Sequence, residues 1–156
     1  MFIPRCGRKR DSKNRSYLMR LFAFLYCLAV AVFSTHLKPQ KSKAESIAAG
    51  KEIYQDFCVQ CHLSNGEGVS GVFPPLKSSD YLFENINRSI AGIKYGLKGE
   101  ITVNDEIYDG VMANQGLEEE EIADVINYIL NQWGNQSEEF ITPQQVAAVP
   151  KSILEQ

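Results

Sequence analysis

The chain has 156 residues, 44% of them apolar, which is enough for one small domain with a hydrophobic core and a further segment. Its formal net charge of −3 hides an uneven distribution, because ten of the 16 lysines and arginines precede residue 45, where Asp11 is the only acid. From Glu45 onward 6 basic residues face 18 acidic ones, a formal charge of −12. A domain with this charge would repel phosphate groups, so the sequence argues against nucleic-acid binding.

The N-terminal part of the chain has the layout of an export signal. Its basic residues precede an unbroken apolar run of 14 positions, "LFAFLYCLAVAVFS", at residues 21–34, and this order is typical of a secretory signal peptide. The run is shorter than the roughly 20 residues that span a bilayer, but it extends back to residue 17 if Arg20 reaches the interface. We therefore expect residues 1–34 to be either a cleaved signal peptide or a membrane anchor through residues 17–34. A polar linker, 35–45, then leads to an exported, periplasmic domain.

A helix is predicted to run into the two central cysteines. Ile47, Gly50, Tyr54 and Phe57 recur at steps of three and four, the spacing of one helix face. Glycine inside a helix costs about 1 kcal/mol relative to alanine. Gly50 therefore predicts that another element passes very close to this helix.

A loop, short helices and a hairpin are predicted to follow. Glycines at 66, 68 and 71 and the pair Pro74-Pro75 indicate a long loop. Residues 79–96 carry an apolar face of three isoleucines and predict one or two short helices. Apolar residues alternate on both sides of Asn104-Asp105, which predicts a small β-hairpin.

The strongest helix signal covers residues 117–134. Its apolar residues follow the spacing of one buried helix face; they are Ile122, Val125, Ile126, Ile129, Leu130 and Trp133. Glutamates at 118–121 lie where the helix dipole favours negative charge, and Gly134 is the predicted C-terminal cap. Residues 135–156 contain two prolines and little periodicity, so a loosely packed tail is predicted.

The exported part of the chain has two cysteines, Cys58 and Cys61, which with His62 form the sequence C-x-x-C-H. A structural zinc site needs four protein ligands, and the other histidine of the chain, His36, lies in or beside the export segment. A redox-active thiol pair is expected in a strand-rich βαβ setting, whereas a predicted helix precedes Cys58. C-x-x-C-H is also the attachment sequence of c-type haem. Both thiols then reach the two vinyl groups of one porphyrin, and His62 lies beneath the iron.

Met112 is the predicted ligand on the opposite side of the iron. Met1 and Met19 belong to the export segment, so Met112 is the one methionine of the mature domain. A solitary methionine more often fills a core, but Met112 is the conventional iron ligand that remains once His62 is assigned. It also lies directly before the final predicted helix.

These features resemble the class I monohaem cytochromes c over residues 46–134. The resemblance is carried by Gly50 and Tyr54, by "CVQCH", by the glycine-rich loop with "FPPL", by Met112, and by a final helix with Tyr128 and Trp133. It implies an all-α cytochrome c fold of three to five short helices wrapped around one covalently bound haem c, with a small β-hairpin before the methionine ligand. It also implies that the first and last helices cross at Gly50. The carbonyl of Pro74 or Pro75 would orient His62, and the sequence leaves that choice open.

Two positions depart from the family pattern. Members of the family often have proline directly after the methionine, where this chain has Ala113-Asn114. They also cap the last helix with serine, threonine or aspartate, where this chain has Glu118. We therefore expect the loop after Met112 to be less rigid than in the family.

The expected function is one-electron transfer rather than catalysis, because two axial ligands leave iron no open position for a substrate. One alternative is a dedicated cytochrome subunit of a larger exported oxidoreductase. The segment "YGLKGEITVNDEIYDGVM" is similar to cytochrome domains associated with copper nitrite reductases and quinone-dependent dehydrogenases. Another alternative is a haem enzyme or gas sensor in which Met112 dissociates. The acidic domain should be steered towards redox partners with basic docking surfaces.

Overall fold

The computed structural model describes residues 12–34 and 40–155, which belong to two units divided after residue 40. In the first unit, α1 (Ser12–Ser34) covers the predicted apolar run. In the part of the chain that the model describes, no helix combines the length and apolarity needed to cross a membrane. The predictions for residues 1–11 and 35–39, including His36 and part of the linker, lie outside the described residues.

The second unit consists of short helices and one antiparallel hairpin. In chain order its elements are α2 (Lys43–Phe57), α3 (Val59–His62), α4 (Asp80–Glu84), α5 (Ile86–Tyr95), β1 (Leu97–Val103), β2 (Glu106–Met112), α6 (Glu119–Ile129), α7 (Pro143–Ala148) and a 3₁₀ turn (Lys151–Glu155). Five helices and the hairpin lie within residues 43–134, as the predicted fold requires, but α2 begins at Lys43, inside the segment 35–45 that was predicted to be a linker, because Ser42 and Glu45 form a capping box at its start.

Helices α2 and α6 cross at Gly50. A Cβ atom at this position would lie 2.0 Å from the carbonyl oxygen of Asp124 and 2.8 Å from Cβ of Tyr128. Real Cβ atoms do not approach backbone this closely, so only glycine allows the two helices to pack at this distance. The close approach predicted from Gly50 is confirmed.

Helix α6 ends at Ile129, earlier than its periodicity predicted, and Gly134 does not cap it. The C-cap is Leu130, and Trp133 has a left-handed φ of 55°. A further helical turn would supply a backbone donor to the carbonyl of Ile129. The side-chain amide of buried Asn135 supplies it instead, at 2.8 Å. The chain then reverses, and the Trp133 ring packs on Tyr54, with ring centroids 5.0 Å apart.

The predicted hairpin is present and longer than the sequence indicated. Strands β1 and β2 pair from Leu97 opposite Met112 to Val103 opposite Glu106. The turn residues Asn104 and Asp105 both have positive φ, 51° and 63°. Asparagine and aspartate tolerate the left-handed conformation, which two-residue turns matching the strand twist require.

The C-terminal segment was predicted to be a loose tail, and this is wrong. Ile141, Val146 and Val149 are buried in the main core. Buried Asn127 of α6 exchanges two hydrogen bonds with the backbone of Ile141, at 2.8 and 2.9 Å. Lys94 of α5 donates to the carbonyls of Val146 and Ala147 at the end of α7, where the helix dipole favours a cation. These apolar residues are too sparse to form a period, so their burial depends on contacts supplied by α5 and α6.

Candidate functional site

A largely apolar cleft opens between α3, α5 and the hairpin. The four predicted haem residues, Cys58, Cys61, His62 and Met112, all line it. Most of the remaining wall is aliphatic or aromatic, and it includes Phe57, Pro74, Pro75, Leu76, Tyr81, Leu82, Ile93, Leu97, Ile101, Val103, Leu117, Ile126 and Ile129. Residues 54 positions apart in the sequence therefore contribute to one site.

The cysteines and the histidine lie on one turn of helix. Cys58 ends α2 and precedes α3, which contains Cys61 and His62. Cys58 is half-buried and Cys61 is exposed. Burial, and secondarily the nearby Cys61, raises the pKa of the Cys58 thiol to about 11, so this sulfur is held as a neutral thiol at neutral pH.

His62 is oriented by the backbone of Pro74. Its ring Nδ1 lies 2.9 Å from the Pro74 carbonyl oxygen, and a carbonyl can only accept, so Nδ1 carries the proton and donates. The other ring nitrogen, Nε2, is then the one with a free lone pair for a metal. Burial lowers the pKa of His62, and the bond to Pro74 partly opposes that shift. The carbonyl that orients the histidine belongs to Pro74 rather than Pro75.

The loop that carries Pro74 is tightly folded. Gly68 donates its N–H to the carbonyl of His62 at 3.1 Å, and Val69 pairs with Phe73 through two bonds of 2.8 Å. Gly68 has a φ of +63°, and a Cβ there would lie 2.3 Å from the Phe73 carbonyl oxygen and 2.7 Å from that of Pro74. Gly66 is similarly covered by the ring of Trp133, 2.5 Å from its ideal Cβ position.

Met112 is the last residue of β2 and lines the same cleft. Its Cε atom would be 3.8 Å from a Cβ on Gly92 of α5, and its carbonyl oxygen 2.9 Å from a Cβ on Gly96. Residues 113–116 after it are exposed. Two local hydrogen bonds lie within that stretch: the Gly116 N–H donates to the Asn114 side chain, and the Gln115 side chain donates to the Ala113 carbonyl.

Two buried polar atoms in the cleft wall lack a hydrogen-bond partner, and sequence reasoning missed both residues. Among the described residues, Arg88 Nε and Ser89 Oγ are buried without one, and both residues line the cleft. The Arg88 guanidinium stacks 3.8 Å above the Tyr81 ring and donates to the Tyr81 carbonyl at 3.1 Å. Unsatisfied buried donors are costly, and haem carries two propionate carboxylates that such donors suit. The cleft therefore fits haem in its apolar wall and in its polar atoms. The sequence feature that could have indicated this polar part of the cleft is Arg88 itself, an arginine inside a predicted helix with an apolar face in an acidic domain.

Comparison with known protein families agrees with these features of the site. Residues 47–133 match the family model of cytochrome c, and the chain belongs to the cytochrome c family. It is 37% identical over 128 residues to cytochrome c-552 of Thermus thermophilus, covering 68% of this chain and 97% of that protein.

Cytochrome subunits of two dehydrogenases are also similar to the chain. Identity is 32% over 91 residues to the cytochrome c subunit of the quinone alcohol dehydrogenase of Gluconobacter oxydans, which is 56% of this chain and 19% of that subunit. The chain is also 30% identical over 113 residues to the fructose dehydrogenase cytochrome subunit of Gluconobacter japonicus, which covers 67% of this chain and 23% of that subunit.

Membership of the family supplies the cofactor and the general role. The protein carries covalently bound haem c, and Cys58-Val59-Gln60-Cys61-His62 fits the attachment sequence. Its role is electron transfer.

Proposed function

We propose that the protein shuttles single electrons through one haem held by Cys58 and Cys61 and ligated by His62 and Met112. The observation that supports the proposal is the shared cleft, which is lined both by His62, with its Nδ1 proton engaged by Pro74, and by Met112. Haem supplies an iron that changes by one electron between its ferrous and ferric states.

The two thiols attach the cofactor. Each thiol would add across one vinyl group, with sulfur bonding to one vinyl carbon and hydrogen going to the other, so no atom would leave and no oxidant would be consumed. Arg88 and Ser89 would donate hydrogen bonds to the propionates, because both residues line the cleft and each has a buried polar atom that lacks a partner among the described residues.

The axial pair determines the kind of chemistry. The His62 imidazole and the Met112 thioether would together hold the iron and leave no position for a substrate, and methionine ligation raises the reduction potential. The apolar wall would exclude water and so favour the state with less net charge. The cofactor would therefore exchange electrons without a substrate bound to iron.

Removal of Met112 tests this assignment. The purified holoprotein should show a low-spin c-type spectrum when reduced and a methionine–iron charge-transfer band when oxidised. Met112→Ala should keep covalent haem, measured by mass, but lose that band and bind CO rapidly. Leu117→Ala, in the same cleft wall, is the matched control and should keep the band. A wild-type protein without the band would rule the proposed ligation out.

We further propose that the domain works in the periplasm and meets basic partner surfaces. The support is the export-type N-terminus and the charge of −12 from Glu45 onward. One cation is also occupied within the domain, since Lys41 pairs with Asp124 at 2.6 Å and with Glu120 at 2.9 Å. Mass spectrometry of the mature protein would distinguish a cleaved signal from a retained anchor. Electron-transfer rates with a partner should fall as salt rises, and salt-independent rates would refute electrostatic steering.

A second candidate role is that of a cytochrome subunit in a larger oxidoreductase. The observation that favours it is the similarity to the two dehydrogenase cytochrome subunits over 91 and 113 residues. Gel filtration of the protein isolated from its native membranes or extract, monitored by haem absorbance, distinguishes a free carrier from a subunit that elutes with a dehydrogenase.

A further inference from the structure

The β-hairpin forms one side of the haem cleft. Leu97, Ile101 and Val103 of β1 line the cleft, and so does Met112 at the end of β2. Its base is held near Gly96, where a Cβ would lie 2.9 Å from the Met112 carbonyl oxygen. A two-stranded hairpin is marginally stable alone, so the position of its far end depends on other contacts.

The far end is joined to the loop that orients His62. The carboxylate of Glu106 accepts hydrogen bonds from the Ser70 hydroxyl and, at 2.7 Å, from the Tyr108 hydroxyl. Ser70 lies between His62 and Pro74 in the sequence, and two hydroxyl donors to one carboxylate are a strong, charge-assisted arrangement.

The turn beside Glu106 has a second attachment. Asn104 and Asp80 exchange hydrogen bonds between each backbone N–H and the other's side chain, at 2.8 and 3.0 Å. This contact joins the turn to the start of α4. The hairpin is thus fixed at the turn to both the histidine loop and α4, and at its base beside Met112.

We propose that Glu106 is a positioning residue for the haem site, one that keeps the hairpin in place beside the cleft through its hydrogen bond to the Ser70 side chain. The proposal rests on the proposed function, since it concerns the environment of the same haem. Ile101 and Val103 would then remain in the cleft wall and keep water from that side. Access of water to a redox centre changes its reduction potential. The hydrogen bond between Glu106 and Ser70 therefore affects the reduction potential of the iron as well as the stability of the domain.

A double-mutant cycle on the holoprotein tests the proposal. Glu106→Gln removes the charge while preserving the size of the side chain, and Ser70→Ala removes the donor on the opposite segment. Each should lower the reduction potential and accelerate amide hydrogen exchange in β1 and β2 by about tenfold, as expected for loss of a charge-assisted bond. The double variant should change no more than the larger single effect, because both remove one interaction.

The control is Glu100→Gln, an exposed glutamate on the same hairpin. It makes the same change of charge and should leave potential and exchange unaltered. A potential equal to the wild-type value in Glu106→Gln, or additive effects in the double variant, would overturn the proposal. The double-mutant cycle compares variants that share the same iron ligands, so the coupling between Glu106 and Ser70 in hydrogen exchange can be measured whichever residue ligates iron. A wild-type protein that lacks the methionine band therefore counts against the ligation, while exchange data still decide on the hydrogen bond between Glu106 and Ser70.

Discussion

The histidine side and the methionine side of the cleft are built differently. On the histidine side, residues 58–76 form a short helix and a loop whose backbone bonds return repeatedly to itself, as between Gly68 and His62. Tyr54 and Trp133 add side-chain bonds to the carbonyls of Leu63 and Ser64. The ring of His62 is therefore held through several independent contacts.

On the methionine side, the ligand candidate is at the end of a strand. Met112 pairs with Leu97, and the exposed residues 113–116 then lead to α6 with local bonds. The free energy needed to displace a side chain is lower when its backbone is held through one strand end than when its backbone lies inside a closed loop. The comparison teaches that the proposed bond from Met112 to iron should be weaker than the proposed bond from His62.

A pair of glycine substitutions should show the largest difference between the two sides. Gly68→Ala combines a φ of +63° with a Cβ only 2.3 Å from a backbone oxygen, so we expect destabilisation of about 2–5 kcal/mol and reduced haem content. Gly116→Ala on the methionine side has a φ of +72° but nothing within 4 Å of the new Cβ. It should cost about 1–2 kcal/mol. Urea unfolding of both holoproteins measures this, and equal losses would refute the comparison.

A pair of asparagine substitutions sharpens the same contrast. Asn135 is buried and bonds to Leu76, Ser78 and Ile129, so Asn135→Ala leaves these backbone groups unpaired and should cost at least about 2 kcal/mol. Asn114→Ala removes one exposed bond, to Gly116, and should cost less than about 1 kcal/mol. Thermal unfolding followed by circular dichroism measures both changes. A costlier Asn114 variant would mean that the methionine loop is better anchored than its contacts suggest.

During gradual unfolding, the methionine side of the cleft should lose its structure before the rest of the domain. As guanidinium is added to the oxidised wild-type protein, we expect the methionine–iron band to disappear at a lower concentration than the helical circular dichroism signal. Coincident midpoints would show that the methionine loop opens only with the whole domain.

Lowering the pH should have the smallest effect, and it should act on the hydrogen bonds that the Glu106 carboxylate accepts. Bonds from Ser70 and then Tyr108 lower the pKa of Glu106 below its ordinary value of 4.5. The stabilising contribution is therefore complete above about pH 4.5 and is lost as pH falls through the lower pKa of the folded state. Tyr108 is the titratable group that faces Glu106, and its pKa, raised to about 12 by burial and by this bond, keeps it neutral throughout. The difference in stability between wild type and Glu106→Gln should shrink to zero below that pKa, and a difference that persists would exclude Glu106 as its source.

Much of the site was readable from local patterns. C-x-x-C-H needs five consecutive residues, Met112 followed from counting methionines, and the hairpin turn from Asn104-Asp105. Gly50 predicted a close approach because a glycine inside a helix costs stability without a compensating contact. Each of these depends on neighbours in sequence or on a residue type with one strong conformational property. The roles of Cys58, Cys61, His62 and Met112 towards the iron stay predictions.

Tertiary structure decided what depends on partners distant in sequence. Pro74 rather than Pro75 orients His62, Trp133 leaves helix α6 to pack on Tyr54, and Val146 is buried although its segment has no period. Arg88, Ser89 and Glu106 likewise acquired meaning only when the cleft and hairpin placed them. Local sequence specifies backbone preference and helix faces, because these arise within a few residues. It does not specify which carbonyl, groove or donor the folded chain will present to a given side chain.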